Sequence, residues 1–141
     1  MKYKNIQISS NQIARTIVTF FYSGKIPYAP GTCGTIAGLF FYILLMQKMQ
    51  LHTQIVYLVA ITILGYFACE RYLKIILKNP NADPKEVVID EVIAIILINI
   101  VTNYILQTNN QLMNYKHYII NFLIFRTLDI TKIYPISWFD K

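Results

Sequence analysis

This chain is short of charge. Only 14% of its 141 residues are Asp, Glu, Lys or Arg, and seven of them are acidic; soluble globular proteins usually carry about one-quarter charged residues. Low charge combined with 55% hydrophobic residues excludes an intrinsically disordered segment, which needs the opposite balance. Cysteine is nearly absent: Cys33 and Cys69 lie far apart, outside any CxxC pair or histidine cluster, so neither a zinc site nor a disulfide framework is indicated and both read as packing residues. The two histidines, His52 and His117, sit in segments without an acid and make poor catalytic bases or ligands. No P-loop lysine motif, kinase signature or cysteine-nucleophile motif is present. The N-terminus, MKYKNIQISSNQIART, has no apolar core of the kind a cleaved secretory signal needs, so it is expected to face the cytoplasm.

What remains is apolar and helical. Apolar periodicity and capping signals predict an all-α, single-domain chain, a compact bundle of about five helices, with no alternating strand pattern and no internal repeat. The expected helices run from Ser10 to Tyr22, Thr35 to Gln50, Thr53 to Lys78, Pro84 to Leu106 and Asn114 to Ile130. Between the first two, SGKIPYAPGTCG (Ser23 to Gly34) is expected to form an ordered loop, because it holds two prolines and three glycines. Asn79 to Pro84 reads as a break, Gln107 to Gln111 as a polar turn, and Pro135 as an irregular end.

The charge of +6 is informative in its distribution. If the second to fifth helices cross a membrane, eleven of the thirteen Lys and Arg residues and all seven acids fall on one side, with only Lys48 and Lys116 opposite. That is the positive-inside pattern with the charged side cytoplasmic. The fifth helix is short of the about 20 apolar residues a span requires, so it either dips into the bilayer or packs within the bundle. A soluble bundle burying the same faces is the competing explanation. Nucleic acid is not an expected partner, because the basic residues are dispersed among carboxylates rather than gathered in a stripe.

With so few acids, their placement carries the argument. Asp90 and Glu91 stand inside VVIDEVIAIILINI, where uncompensated charges are costly. On a helix Glu86 and Asp90 share a face, and Glu91 lies about 100° round from Asp90. Carboxylates converging near a helix start suit a hard divalent cation such as Mg2+, which takes oxygen ligands and keeps several waters. The alternative is a buried ion network in which Asp90 and Glu91 pair with Arg126 or Lys132. Asp83-Pro84-Lys85-Glu86 reads as a capping box that accounts for Glu86 structurally, while Asp83 is placed both to cap and to join a metal.

A second cluster is the turn PYAPGTCGT, Pro27 to Thr35, which leads into a helix start where free amides and the dipole attract an anion. Pro30, Gly31, Thr32, Gly34 and Thr35 are its candidate phosphate-binding residues, although the same composition makes an ordinary capping turn. Arg126, Asp129 and Lys132 form a third polar stripe, either functional or a solvated helix end with a local Asp–Lys pair. Cations, helix-start amides and metal-binding carboxylates on one face fit phosphoryl chemistry.

In this order the three segments resemble the motifs of the phosphatidylglycerophosphatase A family. The turn Ser23-Gly24-Lys25-Ile26-Pro27-Tyr28-Ala29-Pro30-Gly31-Thr32-Cys33-Gly34 is similar to its P-x-A-P-G-T-x-G motif and the Gly-rich lead-in. Asp83 to Glu91 resembles D-P-x-x-I-V-x-D-E, and Phe125 to Ile136 resembles F-R-x-x-D-I-x-K-x-x-P-I. Tyr22 and Ala94 stand where the family commonly has glycine. The resemblance implies a Mg2+-dependent phosphatase of the bacterial inner membrane, its active face cytoplasmic, that converts phosphatidylglycerophosphate to phosphatidylglycerol among membrane lipids. The expected roles are Asp90, Glu91 and Asp129 in catalysis, Asp83, Asp90 and Glu91 on the metal, and the Pro30 to Thr35 turn with Arg126 and Lys132 on the phosphate. Family members continue past the Asp140 position into a further helix bearing an Asp-Asp pair. Its absence here raises the alternative of a truncated, inactive protein that keeps the fold and binds anionic lipid.

Overall fold

A computed structural model describes residues 2–79 and 84–131. They form five helices: α1 (Lys2–Val18), α2 (Pro30–Phe41), α3 (Leu51–Arg71), α4 (Ile89–Thr108) and α5 (Tyr115–Thr131). The helices α2 and α3 continue through wider π-helical turns at Tyr42–Met46 and Tyr72–Ile76. No strand occurs among the described residues, so the all-α expectation holds. α4 is the centre, packed against α2, α3 and α5, while α1 lies on α3. The main core joins Val88, Ile89, Val92, Ile96 and Ile100 to Tyr42, Met46 and Tyr118, and a smaller cluster joins Ala14 and Val18 to Ala68 and Tyr72.

Several helix boundaries differ from the sequence expectation: α1 begins at Lys2 rather than Ser10, the second helix ends by Met46 rather than Gln50, and three further differences have an identifiable physical reason. α1 stops at Val18 rather than Tyr22, because Phe20, Phe21 and Tyr22 all take left-handed backbone angles (φ 40°, 54° and 68°). Thr19 holds this strained turn: its hydroxyl donates to the Arg15 carbonyl (2.8 Å), and its carbonyl accepts from the Gly24 amide (3.0 Å). Tyr22, at the position where glycine is usual in the resembled motif, is therefore in the conformation glycine favours.

α2 begins at Pro30, five residues before the expected Thr35. Pro30 is the first helical residue, where a fixed φ suits the helix and the missing N–H costs nothing. α4 in turn begins at Ile89, not Pro84. The Val88 amide donates to the Val18 carbonyl (2.9 Å), and Gly24 lies so close to the Glu86 carbonyl that a Cβ there would collide with it. These tertiary contacts take residues 84–88 out of the helix, so Glu86 neither completes a capping box nor shares a helical face with Asp90. Asp83, the other half of that expectation, lies outside the described residues.

Glycine sets the separation of α2 from α4. A Cβ at Gly34 would approach Val88 Cβ to 2.6 Å, and one at Gly38 would approach Ile95 Cγ2 to 2.8 Å and Val92 Cα to 3.0 Å. Small residues at such crossings let helix backbones approach closely. Further along, α4 and α5 are joined by a buried polar clamp: the Asn121 amide donates to Asn99 Oδ1 (3.0 Å) and to Thr102 Oγ1 (3.1 Å).

The bundle has two unlike ends. Arg15, Glu86, Glu91, Arg126 and Asp129 meet near the starts of α2 and α4. At the other end Gln54 Nε2 donates to the Met46 and Met49 carbonyls (3.1 and 2.9 Å), closing the C-terminus of α2 beside the exposed Lys48. Between these ends much of the surface is apolar and exposed, including Val56 (64%), Leu64 (57%) and Phe67 (61%) on α3. Two helical stretches, Leu51–Ile76 and Ile89–Thr108, are long and apolar enough to cross a membrane, at about 39 Å and about 30 Å. Pro30–Met46 is apolar but shorter, so two of the four expected spans meet the length requirement among the described residues. These helices and their exposed apolar faces point to membrane association.

Candidate active site

The site is built where three helix ends meet. α2 contributes its N-terminus, α4 its first turn with Asp90 and Glu91, and α5 its last turns with Arg126 and Asp129. Gly31 marks the crossing: a Cβ there would lie 2.7 Å from Glu91 Oε1 and 3.4 Å from Arg126 Nη1. A residue from each of the three sequence motifs thus occupies one small volume, although the motifs are separated by about 60 and 35 positions along the chain.

Starting the helix at Pro30 determines which amides are free. Pro30 has no N–H, the Cys33 amide already donates to the Ala29 carbonyl (3.1 Å), and the Gly31 and Thr32 amides have no acceptor within the helix. Those two amides and the positive end of the helix dipole belong to the turn that approaches Glu91 and Arg126. Gly34 and Thr35 are both buried, Gly34 against Val88 on α4, while the Thr35 hydroxyl donates to the Gly31 carbonyl (2.8 Å). Gly34 and Thr35, both expected on the phosphate, are thus packed into the helix start, whereas the Gly31 and Thr32 amides keep no acceptor within the helix.

Arg126 Nη1 donates to Asp129 Oδ2 at 2.6 Å, an i,i+3 pair in which the arginine side chain is only 13% exposed. Arg126 thus pairs with its helix neighbour, and among the described residues no ion pair joins it to Asp90 or Glu91. Lys132, the other expected partner of those acids, lies outside the described residues. Among the described residues, neither Glu91 Oε2 nor Arg126 Nε, both buried, has a hydrogen-bond partner. Glu91 also lies within electrostatic reach of Asp90 and Asp129. A carboxyl oxygen and a guanidinium N–H, each buried and without a hydrogen-bond partner among the described residues, thus stand close to the start of α2.

Among the described residues no three His, Cys, Asp or Glu side chains come together to enclose a metal by themselves. Asp90, exposed on the first turn of α4, and the half-buried Glu91 supply two adjacent carboxylates instead. Glu86 belongs to a different contact: the Tyr72 hydroxyl donates to its Oε1, and Arg15 Nη2 stands 3.9 Å from its Oε2. Sequence reasoning missed this Arg15–Glu86–Tyr72 group, because the capping pattern accounted for Glu86 locally and Arg15 registered only in the charge count.

The family described as Phosphatidylglycerophosphatase A matches residues 16–141. A phosphatidylglycerophosphatase A of Escherichia coli (strain K12) is 34% identical over 122 residues, which is 86% of this chain and 63% of that protein. The chain thus spans somewhat under two-thirds of the length of this relative. No solved structure matches.

Proposed function

Because the chain belongs to the phosphatidylglycerophosphatase A family, we propose that it hydrolyses the terminal phosphate monoester of phosphatidylglycerophosphate to give phosphatidylglycerol and phosphate. The observation that carries this reading is the convergence of Gly31, Glu91 and Arg126 at one end of an apolar bundle. The named activity of the Escherichia coli relative supports the substrate.

In this reading the Gly31 and Thr32 amides and the Arg126 guanidinium bind the phosphate oxygens and stabilise the charge that builds on them. Asp129 is a positioning residue through its 2.6 Å hydrogen bond, which aims the Arg126 fork. Lys132, six positions beyond Arg126, adds a cation from the same motif. Asp90 and Glu91, with Asp83 from the preceding segment, hold Mg2+. The residues fit it: the unpartnered Glu91 Oε2 is a hard donor, and Mg2+ is commonly bound through one or two carboxylates with waters and substrate phosphate completing the shell. Bound there, Mg2+ supplies Lewis-acid polarisation of a phosphoryl oxygen and orients water. Attack of water on phosphorus breaks the P–O bond to glycerol, and the proton given up by the water passes to the leaving glycerol oxygen; no covalent intermediate is required.

The charged end faces the cytoplasm at the bacterial inner membrane in this reading, supported by the eleven-to-two split of basic residues. Headgroups then reach the cleft while α3 and α4 stay among the acyl chains. The test is phosphate release from phosphatidylglycerophosphate in mixed micelles. Release is expected to require Mg2+, to stop with chelator and to fall at least about 100-fold in Asp90→Asn, the scale of losing one electrostatic contact to the transition state. Undiminished release by that variant, or in chelator, refutes the metal assignment.

A further inference from the structure

Beside the candidate active site lies a second, open cleft of ≈ 390 Å³, lined by Arg15, Gly24, Lys25, Pro30, Lys85 and Glu86 among others. Pro30 links the two places: it lines this cleft, and a Cβ on the next residue, Gly31, would lie 2.7 Å from Glu91 Oε1 and 3.4 Å from Arg126 Nη1. Three cations line the cleft against one carboxylate. That carboxylate is already engaged, by the Tyr72 hydroxyl and by Arg15 at 3.9 Å. Lys25 and Lys85 are exposed and have no carboxylate within ion-pair distance among the described residues.

Their meeting is a product of the fold. The left-handed turn at Phe20 to Tyr22 brings Gly24 onto the Glu86 carbonyl, and the Val88 amide donates to Val18 (2.9 Å). Lys25 and Lys85, sixty positions apart, thereby flank one cleft, and Lys25 Nζ is steadied 4.7 Å above the Tyr22 ring. The same contacts displaced the start of α4 and left Lys85 in a turn.

We propose that this cleft is a second anion subsite, in which Lys25 and Lys85 hold the phosphodiester of a lipid whose terminal phosphomonoester occupies the Gly31–Arg126 site. The inference rests on the activity proposed above and specifies how its substrate is chosen. Phosphatidylglycerophosphate carries two phosphates joined by one glycerol, a monoester at the end and a diester next to the diacylglycerol. Two adjoining anion sites match that pair. Phosphatidic acid has a monoester on the same kind of lipid but no diester, so it fills only one of the two sites. Lysine ammonium groups suit the diester, whose single charge needs point-charge attraction rather than a bidentate fork.

The experiment uses the full chain in detergent micelles with chelator present, so that binding is read without turnover. Dissociation constants are measured for phosphatidylglycerophosphate and for phosphatidic acid, in the unaltered protein and in the double variant Lys25→Gln, Lys85→Gln. The unaltered protein is expected to prefer phosphatidylglycerophosphate by at least about tenfold, the scale of one charge-assisted contact. The double variant is expected to lose that preference, and Lys25→Arg, Lys85→Arg to restore it. Lys116→Gln, at the opposite end of the bundle, serves as the control for net charge and is expected to keep the preference. An equal preference in the unaltered protein and the double variant overturns the subsite, as does no preference in the unaltered protein. A lysine-dependent preference without Mg2+-dependent phosphate release would instead leave the subsite standing and refute the proposed activity.

Discussion

Replacing Gly31 by alanine isolates the active-site argument from the packing argument. The added methyl would lie 2.7 Å from Glu91 Oε1 and 3.4 Å from Arg126 Nη1, so relief requires these side-chain tips to move away from the cleft. Because the tighter contact is the end of a flexible side chain, the fold should absorb it at little cost. Alanine also gains up to about 1 kcal/mol of helix propensity over glycine, leaving stability within about 1 kcal/mol of the unaltered protein. Activity should behave differently, since a displacement of about 1 Å in a positioned group costs on the order of 100-fold in rate. Gly34→Ala is the contrast. Its methyl would meet Val88 Cβ at 2.6 Å and Cγ2 at 2.9 Å, at the branch point of a buried side chain that cannot swing aside. Overpacking of that kind costs about 1–3 kcal/mol, and the propensity gain offsets only part of it. Thermal unfolding in micelles, followed by helical circular dichroism, should show Gly34→Ala melting several degrees lower and Gly31→Ala nearly unchanged, while phosphate release collapses in Gly31→Ala. If Gly31→Ala hydrolyses phosphatidylglycerophosphate at the unaltered rate, the phosphate does not sit between α2 and Arg126, and the reasoning fails.

Three further outcomes test other parts of the structure. Arg126→Lys keeps the charge but removes the planar fork and the 2.6 Å bond to Asp129, so kcat/KM for phosphate release should fall on the order of 100-fold with the melting temperature little changed. Asn121→Leu removes both donations to Asn99 and Thr102 and leaves Asn99 Oδ1 buried without that donor; denaturant or thermal melts should show a loss of about 1–3 kcal/mol. Ala29→Gly relieves a residue held at φ 51° in front of α2, and the same melts should show a gain of up to about 1 kcal/mol.

The path from sequence to site was uneven, for reasons visible at particular residues. The apolar runs around α3 and α4 declared themselves through composition, because a helix covered by lipid or by neighbouring helices is apolar on most sides. Gly31, Glu91 and Arg126 stood out because two acids in an apolar stretch and a glycine after proline are local anomalies. The capping pattern at Asp83 to Glu86 misled at its described end because it is also local. It offers a helix start worth about 1 kcal/mol, and that is outweighed when the Val88 amide finds Val18 and Gly24 packs on the Glu86 carbonyl. Thr35 misled in the same way: its hydroxyl looked available in the sequence and is used up within the helix.

By itself, then, the chain's order of residues determined the all-helical class, the five helices, the exposed apolar character and the small set of polar residues from which any site had to be assembled. Those properties depend on composition and on periodicity over a few turns. Tertiary structure decided where α4 begins, that Glu86 belongs to Arg15 and Tyr72, that Glu91 and Arg126 both come up to Gly31, and that Lys25 and Lys85 share a cleft. The start of α4, the Glu86 contacts and the lysine cleft depend on how one segment packs against another, and at the active site that packing is set by how closely α2 approaches α4 over Gly31, Gly34 and Gly38. Close approach is a property of two surfaces, and no single segment of sequence carries it.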